Sequence, residues 1–212
     1  MTAMTHLIAA PILLPLLTAA IMLMLGEKHR PLKAKINLFS SLLGLGISVI
    51  LLQWTQTTGV PGSIGVYLPG NWQVPFGIVL VVDRLSALML VLTGIIGVSA
   101  LLFAMARWDG AGSSFHALFQ IQLMGLYGAF LTADLFNLFV FFEVLLAASY
   151  GLLLHGSGRA RVSSGLHYIS INLLASSLFL IGAALIYGVT GTLNMADLAL
   201  KIPLVPEADR GL

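Results

Sequence analysis

The stretch from Leu135 to Leu154 contains twenty residues, almost all apolar, and one carboxylate, Glu143, lies near its middle. Twenty helical residues extend about 30 Å, which matches the hydrocarbon core of a bilayer. Glu143 is the ninth residue of the stretch and so lies close to the midplane. A charge there costs about 2.5–3.5 kcal/mol, whereas each neighbouring Leu, Val or Phe contributes about −0.3 to −0.6 kcal/mol. The stretch therefore predicts a transmembrane helix that carries an ionisable group at a cost.

An ionisable residue at this depth indicates a proton relay, an ion site or the partner of a buried cation. The structural alternative is a protonated carboxyl that hydrogen-bonds to a neighbouring helix and serves packing alone. We favour the first interpretation, with Glu143 as a midplane proton relay.

The charged residues of the chain are few. Of 212 residues, 58% are hydrophobic and 8% are charged, and the mean hydropathy is +1.01. Soluble domains contain about 25% charged residues, so the composition predicts an all-α polytopic membrane protein. The absence of cysteine excludes disulfides, iron–sulfur clusters and cysteine zinc sites. The scattered histidines do not form paired haem ligands, so we expect no cofactor and no metal, and the small net charge does not indicate nucleic-acid binding.

Apolar runs between charged or Gly/Pro-rich segments predict six transmembrane helices in a single membrane domain, 1–212, and prolines 11 and 15 are expected to bend the first. Their approximate ranges are 7–25, 36–54, 85–106, 115–131, 134–155 and 164–188. Residues 55–82 are predicted to form an extracytoplasmic loop with a short β-hairpin, a strand over 77–82 and a Pro-Gly-Asn turn at 69–71. The tail, 189–212, is predicted to lie outside, with a short amphipathic segment broken by prolines.

The basic residues are distributed unevenly between the predicted loops. The loops after helices one, three and five carry seven Lys or Arg residues, and the loops after helices two and four carry none apart from Arg84 at the start of helix three. Cytoplasmic loops are enriched in Lys and Arg. The predicted orientation therefore places the N-terminus outside.

Three charged residues next to predicted helix ends are interpreted as structural. Asp83 and Asp134 each precede a helix and suit the N-cap position, where a carboxylate accepts backbone N–H groups. Arg84 suits an interfacial ion pair better than a conduction role.

Two histidines near the predicted cytoplasmic face extend the proposed relay. His155 ends helix five, and His167 lies about one turn inside helix six; imidazole exchanges protons near neutral pH. Glu143 and His155 are about 18 Å apart along the helix, so transfer between them would need water or His167. Each histidine is alternatively an interfacial residue at a helix end.

Three segments resemble a known family. They are TADLFNLFVFFEVLLAASYGLLLHG at 132–156, LHYISINLLASSLFLIGAALIYGVTGTLNMADLA at 166–199 and DRLSALML at 83–90. They resemble the D-type membrane subunits of the multisubunit monovalent cation/proton antiporters, the Mrp, Mnh or Pha family. The whole chain also resembles the antiporter-like membrane subunits of respiratory complex I.

The resemblance implies a fourteen-helix fold with two inverted five-helix repeats, of which this chain would be the N-terminal part, ending before helix seven. Glu143 matches the family's helix-five glutamate, which pairs with a lysine on helix seven, and His167 falls where relatives often carry a lysine. The family is a transporter and not an enzyme: it couples outward movement of Na+ or K+ to proton uptake. It works with other subunits in the bacterial cytoplasmic (inner) membrane.

Three functions are open from the sequence. The first is a proton-conducting subunit of such an antiporter, indicated by the midplane carboxylate and the three antiporter-like segments. The second is a proton-pumping membrane-arm subunit of an NADH:quinone oxidoreductase-type complex. Neighbouring genes for flavin and iron–sulfur subunits would indicate this second function. The third is a structural membrane subunit without conduction, in which Glu143→Gln would leave function intact.

Overall fold

The computed structural model describes residues 3–57, 64–72, 77–112 and 114–207, and most of them are helical. The helices are α1 (Ala3–Leu7), α2 (Ala10–Met24), α3 (Arg30–Thr57), α4 (Arg84–Arg107), α5 (Phe115–Leu131), α6 (Leu135–Leu153), α7 (Arg159–Thr190) and α8 (Met195–Lys201). Two short strands, β1 (Gly65–Tyr67) and β2 (Leu80–Val82), lie between α3 and α4. The parts of the predicted outer loop at 58–63 and 73–76, and of the predicted tail at 208–212, lie outside the described residues.

Four helices, α3, α4, α6 and α7, are long and apolar enough to cross a membrane by length and composition. Two more, α2 and α5, are apolar but shorter, with 15 and 17 residues. A chain with these helices is a multi-pass membrane protein.

The first predicted helix, 7–25, corresponds to α2, and the separate short helix α1 precedes it. The break falls at Ile8 and Ala9, immediately before Pro11. Proline lacks an N–H, and its ring clashes with the carbonyl four residues earlier, here that of Leu7. In the first turn of α2 the same residue is tolerated, because those N–H groups have no partner within the helix.

Two of the helices extend beyond the apolar runs that predict them. α3 begins at Arg30 and therefore includes Lys33 and Lys35, and α7 begins at Arg159. Hydropathy marks the part of a helix that lies among apolar groups, whereas backbone hydrogen bonding continues through charged flanks.

The two strands form a small antiparallel sheet in which Gly65 pairs with Val82 and Tyr67 pairs with Leu80. A connection of twelve residues, 68–79, joins them, so the segment Pro69–Asn71 does not close a tight hairpin. It forms a single 3₁₀ turn, in which Gly70 and Asn71 adopt positive φ angles of 71° and 56°. The predicted strand over 77–82 is shorter in the structure, where β2 begins at Leu80.

Asp83 is the N-cap of α4. Its Oδ1 accepts the backbone N–H of Ser86 at 2.7 Å, and the Ser86 Oγ accepts the backbone N–H of Asp83 at 2.8 Å, which completes a capping box. The neighbouring Arg84 is exposed and forms no ion pair within the part of the chain that the structure describes.

We expect Asp83→Ala to lower the free energy of unfolding by about 1 kcal/mol, because it leaves the Ser86 N–H without an acceptor. Asp83→Asn is the matched control, since its amide oxygen keeps the cap and removes only the charge. Thermal unfolding of the purified chain in detergent measures both. An equal loss in the two variants would mean that charge, and not capping, stabilises α4.

α5 lies at the centre of the bundle and approaches its neighbours closely at glycines. A Cβ on Gly97 of α4 would come within 2.9 Å of the Leu123 side chain of α5. A Cβ on Gly125 of α5 would lie 2.6 Å from the Leu145 Cβ of α6 and 3.0 Å from its Cα. Small residues at such contacts allow helix backbones to pack closely inside a membrane.

The short helix α8 is capped at its N-terminus by Asn194, whose Oδ1 accepts the N–H groups of Ala196 and Asp197. A hydrogen bond from Lys201, at 3.0 Å, and a second from Thr192 hold the pKa of the Asp197 carboxyl below its usual value. Because this pKa is lower in the folded chain than in the unfolded chain, the ionised Asp197 carboxylate stabilises the fold above the usual pKa of a carboxyl group. This stabilisation is lost as the pH falls through the lowered pKa of the folded chain.

Candidate proton-transfer site

The start of α6 is fixed by its cap and by both flanking connections. Asp134 is the N-cap: its Oδ1 accepts the backbone N–H of Asn137 at 2.9 Å. The Asn137 Nδ2 donates to the Thr132 Oγ1 at 2.9 Å. Backbone bonds join Ala133 to Val79 before β2 on one side and to Met195 of α8 on the other, each at 2.9 Å. The helix that carries Glu143 is therefore anchored at its first residue.

Glu143 lies in the middle of α6 and is half-buried. Its Oε1 is fully buried and has no hydrogen-bond partner among the described residues. The packing interpretation requires a carboxyl that bonds to a neighbouring helix, and the described residues supply no such bond. A buried polar oxygen without a partner costs about 1–3 kcal/mol, so the site is suited to binding a proton or a cation.

A second buried polar atom without a described partner lies on the same helix. It is the hydroxyl of Tyr150, two turns from Glu143. The Tyr150 ring packs edge-on against Tyr168 of α7 at 5.7 Å, and the Tyr168 hydroxyl lies 3.3 Å from the Ser149 Oγ. Tyrosine and serine hydroxyls thus lie between Glu143 and the basic end of the bundle.

An apolar cavity of about 260 Å³ lies between α6 and α7. Aromatic rings form much of its wall: Phe179 of α7 stacks on Phe139 and meets Phe142 edge-on, each at 6.1 Å. Asn172 and Ser176 contribute its polar groups. The contact between α6 and α7 is therefore open, in contrast to the close contact between α5 and α6.

No described hydrogen bond joins His167 to Glu143. The histidine is exposed, and its Nδ1 lies 2.9 Å from the carbonyl oxygen of Ser163, one turn earlier on α7. Ser170 and Ser177, on the same predicted face, donate to the helix's own backbone at 2.8 Å. In the described structure no hydrogen bond links this face to Glu143.

His155 is buried at the end of the bundle where the basic residues cluster. Its Nε2 lies 3.1 Å from the carbonyl oxygen of Trp108, and its ring packs against Phe115. Arg161 donates to the carbonyl oxygen of His155, and its guanidinium lies 4.4 Å from the centre of the Trp108 ring. His155 thus joins the connection after α6 to the connection after α4, and no described hydrogen bond joins it to Glu143 or His167.

One group of polar residues was not assigned from the sequence. Asn37 of α3 contacts His116 and Gln120 of α5 deep in the bundle. About 80 residues separate the partners along the chain, so no local pattern indicates the contact. The described residues contain no group of three or more His, Asp or Glu side chains arranged to hold a metal ion.

The fold is that of a multi-pass membrane protein, and part of the chain matches a known family of membrane subunits. Residues 132–209 match the family described as NADH:quinone oxidoreductase/Mrp antiporter, transmembrane. Over this stretch the chain is therefore similar to the membrane subunits of that family.

Named relatives identify the branch of the family that the chain resembles. The chain is 58% identical to the D subunit of a probable K+/H+ antiporter of Rhizobium meliloti, over 98% of this chain and 39% of that protein. It is 43% identical to the D subunit of a Na+/H+ antiporter of Alkalihalophilus pseudofirmus, over 94% of this chain and 40% of the relative. One chain of the solved Mrp complex of a Dietzia species matches with a TM-score of 0.82 and 34% identity, over 97% of this chain and 40% of that one. The chain spans about two fifths of the length of these relatives.

Proposed function

We propose that the chain conducts protons as part of a membrane subunit of a multisubunit monovalent cation/proton antiporter. Glu143 takes up and releases the transported proton near the membrane midplane. The observation that carries the proposal is the buried Glu143 Oε1, which has no hydrogen-bond partner among the described residues. Such transport is secondary and serves pH and Na+/K+ homeostasis.

In the proposed arrangement α2 to α7 cross the bacterial cytoplasmic membrane with the N-terminus outside. Lys and Arg are concentrated at the end of the bundle where α2 leads into α3, α4 into α5 and α6 into α7, which supports this orientation. It places β1, β2 and α8 on the outer side and His155 and His116 on the cytoplasmic side.

The proposed relay would need water between its members. His155 and His167 remain the predicted partners of Glu143 toward the cytoplasm, but no hydrogen bond joins the three in the described structure. The hydroxyls of Tyr150, Ser149 and Tyr168 lie on the same path and are better placed to order water next to the carboxylate. We therefore assign the essential role to Glu143 alone.

The partners in the proposed function are other antiporter subunits, protons, a monovalent cation and the lipid bilayer. The named relatives include both K+/H+ and Na+/H+ antiporters, and the matched Dietzia structure is a complex. Both cations should therefore be tested with the complete operon.

The test measures exchange in everted vesicles from an antiporter-deficient bacterium, with the operon either intact or lacking this subunit. We expect Na+ or K+ to collapse an imposed pH gradient only when the subunit is present. The second candidate function, a proton-pumping subunit of an NADH:quinone oxidoreductase-type complex, is favoured by the family match over 132–209. Loss of NADH-driven proton pumping, with cation exchange unchanged, would replace the first proposal with the second.

A further inference from the structure

A chain of buried polar side chains crosses the bundle between α3, α5 and α2, away from Glu143. We call it the polar file: it comprises His116, Asn37, Gln120, Ser41, Ser40 and Thr18, each no more than 6% exposed. Polar groups in a membrane interior are costly, and those that remain are either packing contacts or functional groups. One of them, His116, can change its charge in the neutral pH range.

The file begins near the surface. The His116 Nε2 lies 3.3 Å from the Oδ2 of Asp109, whose side chain is 24% exposed. A carboxylate only accepts hydrogen bonds, so the proton of this contact is on Nε2. The His116 Nδ1 lies 3.0 Å from the Nδ2 of Asn37, which only donates, so Nδ1 is bare. The geometry is that of a neutral imidazole.

The remaining links have directions that follow from the first. Since the Asn37 amide nitrogen points to His116, its Oδ1 points to Gln120 and accepts the Nε2 at 2.7 Å. The same Nε2 donates to the Ser41 Oγ at 3.1 Å. The Gln120 Oε1 then points away and accepts the hydroxyl of Ser40 at 3.4 Å.

The file ends on α2. The Ser40 Oγ lies 2.9 Å from the Thr18 Oγ1, and either hydroxyl can donate. The Thr18 hydroxyl also lies 2.7 Å from the carbonyl oxygen of Leu14. A hydroxyl has a single proton, so Thr18 donates either to Ser40 or to Leu14. The last link therefore has two hydrogen-bonding arrangements at the same atomic positions.

We propose that His116 is a proton-binding site of this chain, and that proton uptake at its Nδ1 reverses the hydrogen-bond direction along the polar file. With Nδ1 protonated, two donors would face each other, so the Asn37 amide must rotate and present its oxygen. Gln120 then faces the Asn37 amide nitrogen and must rotate as well, which turns its own nitrogen toward Ser40. Ser40 donates to Thr18, and Thr18 donates to Leu14.

The rearrangement leaves every member of the file with a partner in both protonation states. Ser41 also exchanges roles: it accepts from Gln120 before proton uptake, and it accepts from Asn37 and donates to Gln120 afterwards. Since buried networks are stable only when fully satisfied, the two directions form a two-state element that one proton selects. The two amide rotations also break hydrogen bonds to backbone carbonyl oxygens, from the Asn37 Nδ2 to His116 at 3.5 Å and from the Gln120 Nε2 to Asn37 at 3.2 Å. The proton comes from water at the exposed end near Asp109.

The charges around His116 come from three elements. The charged or titratable groups that face it are Arg30 and Lys33 of α3, Asp109 of the α4–α5 connection and His155 after α6. The residues of α2 include no charged group. Burial opposes the imidazolium, Asp109 favours it and the positive groups oppose it, so the state of the file depends on the balance of these effects at this end of the bundle. The proposal does not depend on Glu143.

The first test uses pH-difference infrared spectra of the assembled complex, which report imidazole protonation and side-chain amide carbonyls without requiring transport. We expect imidazole and amide bands to change with one common midpoint. His116→Gln should abolish these band changes. The control is His29→Gln, at an exposed histidine at the same end of the bundle, which should leave the band changes intact. Asn37→Asp should move the midpoint to higher pH by about 1–3 units, because a carboxylate within hydrogen-bond distance favours the imidazolium.

The second test follows cation-coupled exchange in everted vesicles as a function of pH. We expect His116→Gln to flatten the profile between about pH 5 and 8, where imidazoles titrate, and His29→Gln to reproduce the wild-type profile. Amide bands that do not follow the imidazole, or that persist unchanged in His116→Gln, would overturn the proposal. Loss of the proposed antiport function would abolish exchange but leave the spectra unchanged, so the two failures are distinguishable.

Discussion

Glu143→Gln should reduce cation-coupled proton exchange in everted vesicles to the level of vesicles that lack the subunit. Glutamine has nearly the same shape as glutamate and is neutral, so the variant keeps the volume and removes the exchangeable proton. Glu143 lies within a helix that is capped at Asp134 and packed against α5, so we expect the complex to assemble normally. The measurement is the collapse of an imposed pH gradient after addition of Na+ or K+.

The matched control is Glu207→Gln, which makes the same chemical change at an exposed residue after α8. It should leave exchange unchanged. Glu143→Asp keeps the ionisable group but shortens its reach, so we expect partial activity. Full exchange in Glu143→Gln, with the complex assembled, would remove the carboxylate from the mechanism and leave it as a packing group.

Gly125→Ala should destabilise the bundle by about 1–3 kcal/mol, the usual cost of adding a methyl group to a filled contact. The new Cβ would lie 2.9 Å from the Leu145 backbone N and 3.0 Å from its Cα. Backbone atoms cannot yield by a side-chain rotation, so α5 and α6 must separate. The separation would also displace the part of α6 that carries Glu143.

Gly182→Ala of α7 is the control, because a Cβ there meets no atom within 4 Å. Alanine favours helix by about 1 kcal/mol over glycine, so this variant should be neutral or slightly more stable. Thermal unfolding in detergent compares the two. Equal melting temperatures for Gly125→Ala and wild type would mean that the α5–α6 contact adjusts without loss.

The helices are the part of this fold that the sequence predicts best. The long apolar runs around Leu90 and Glu143 leave little choice, because a backbone inside a membrane must satisfy its own hydrogen bonds. Asp83 and Asp134 mark two helix starts through cap chemistry that acts within three residues. Element ends were less predictable: hydropathy alone does not locate Arg30 as the start of α3, and the effect of Pro11 was expected as a bend and not as a break.

The contacts between helices were harder to predict from the sequence. His116 gives no local signal, since its partner Asn37 is 79 positions away and only the packing of α3 on α5 brings them together. Periodicity placed His167 on one face of its helix correctly but did not determine what that face meets, because the orientation of α7 about its axis depends on its neighbours. For His155 the local sequence does not specify the Trp108 carbonyl as a partner.

The exposure of α7 has a consequence for mutational scanning. Only Gly165 and Ala183 of its 32 residues are buried within the described structure, although residues 162–196 contain no Asp, Glu, Lys or Arg. Truncating an exposed leucine such as Leu174 or Leu178 therefore removes little of the chain's own packing. A substitution there that spares the melting temperature of the isolated chain but lowers recovery of the complex would identify a contact made by another surface. A position-by-position scan of α7 would therefore show which of its residues contact another surface in the proposed complex.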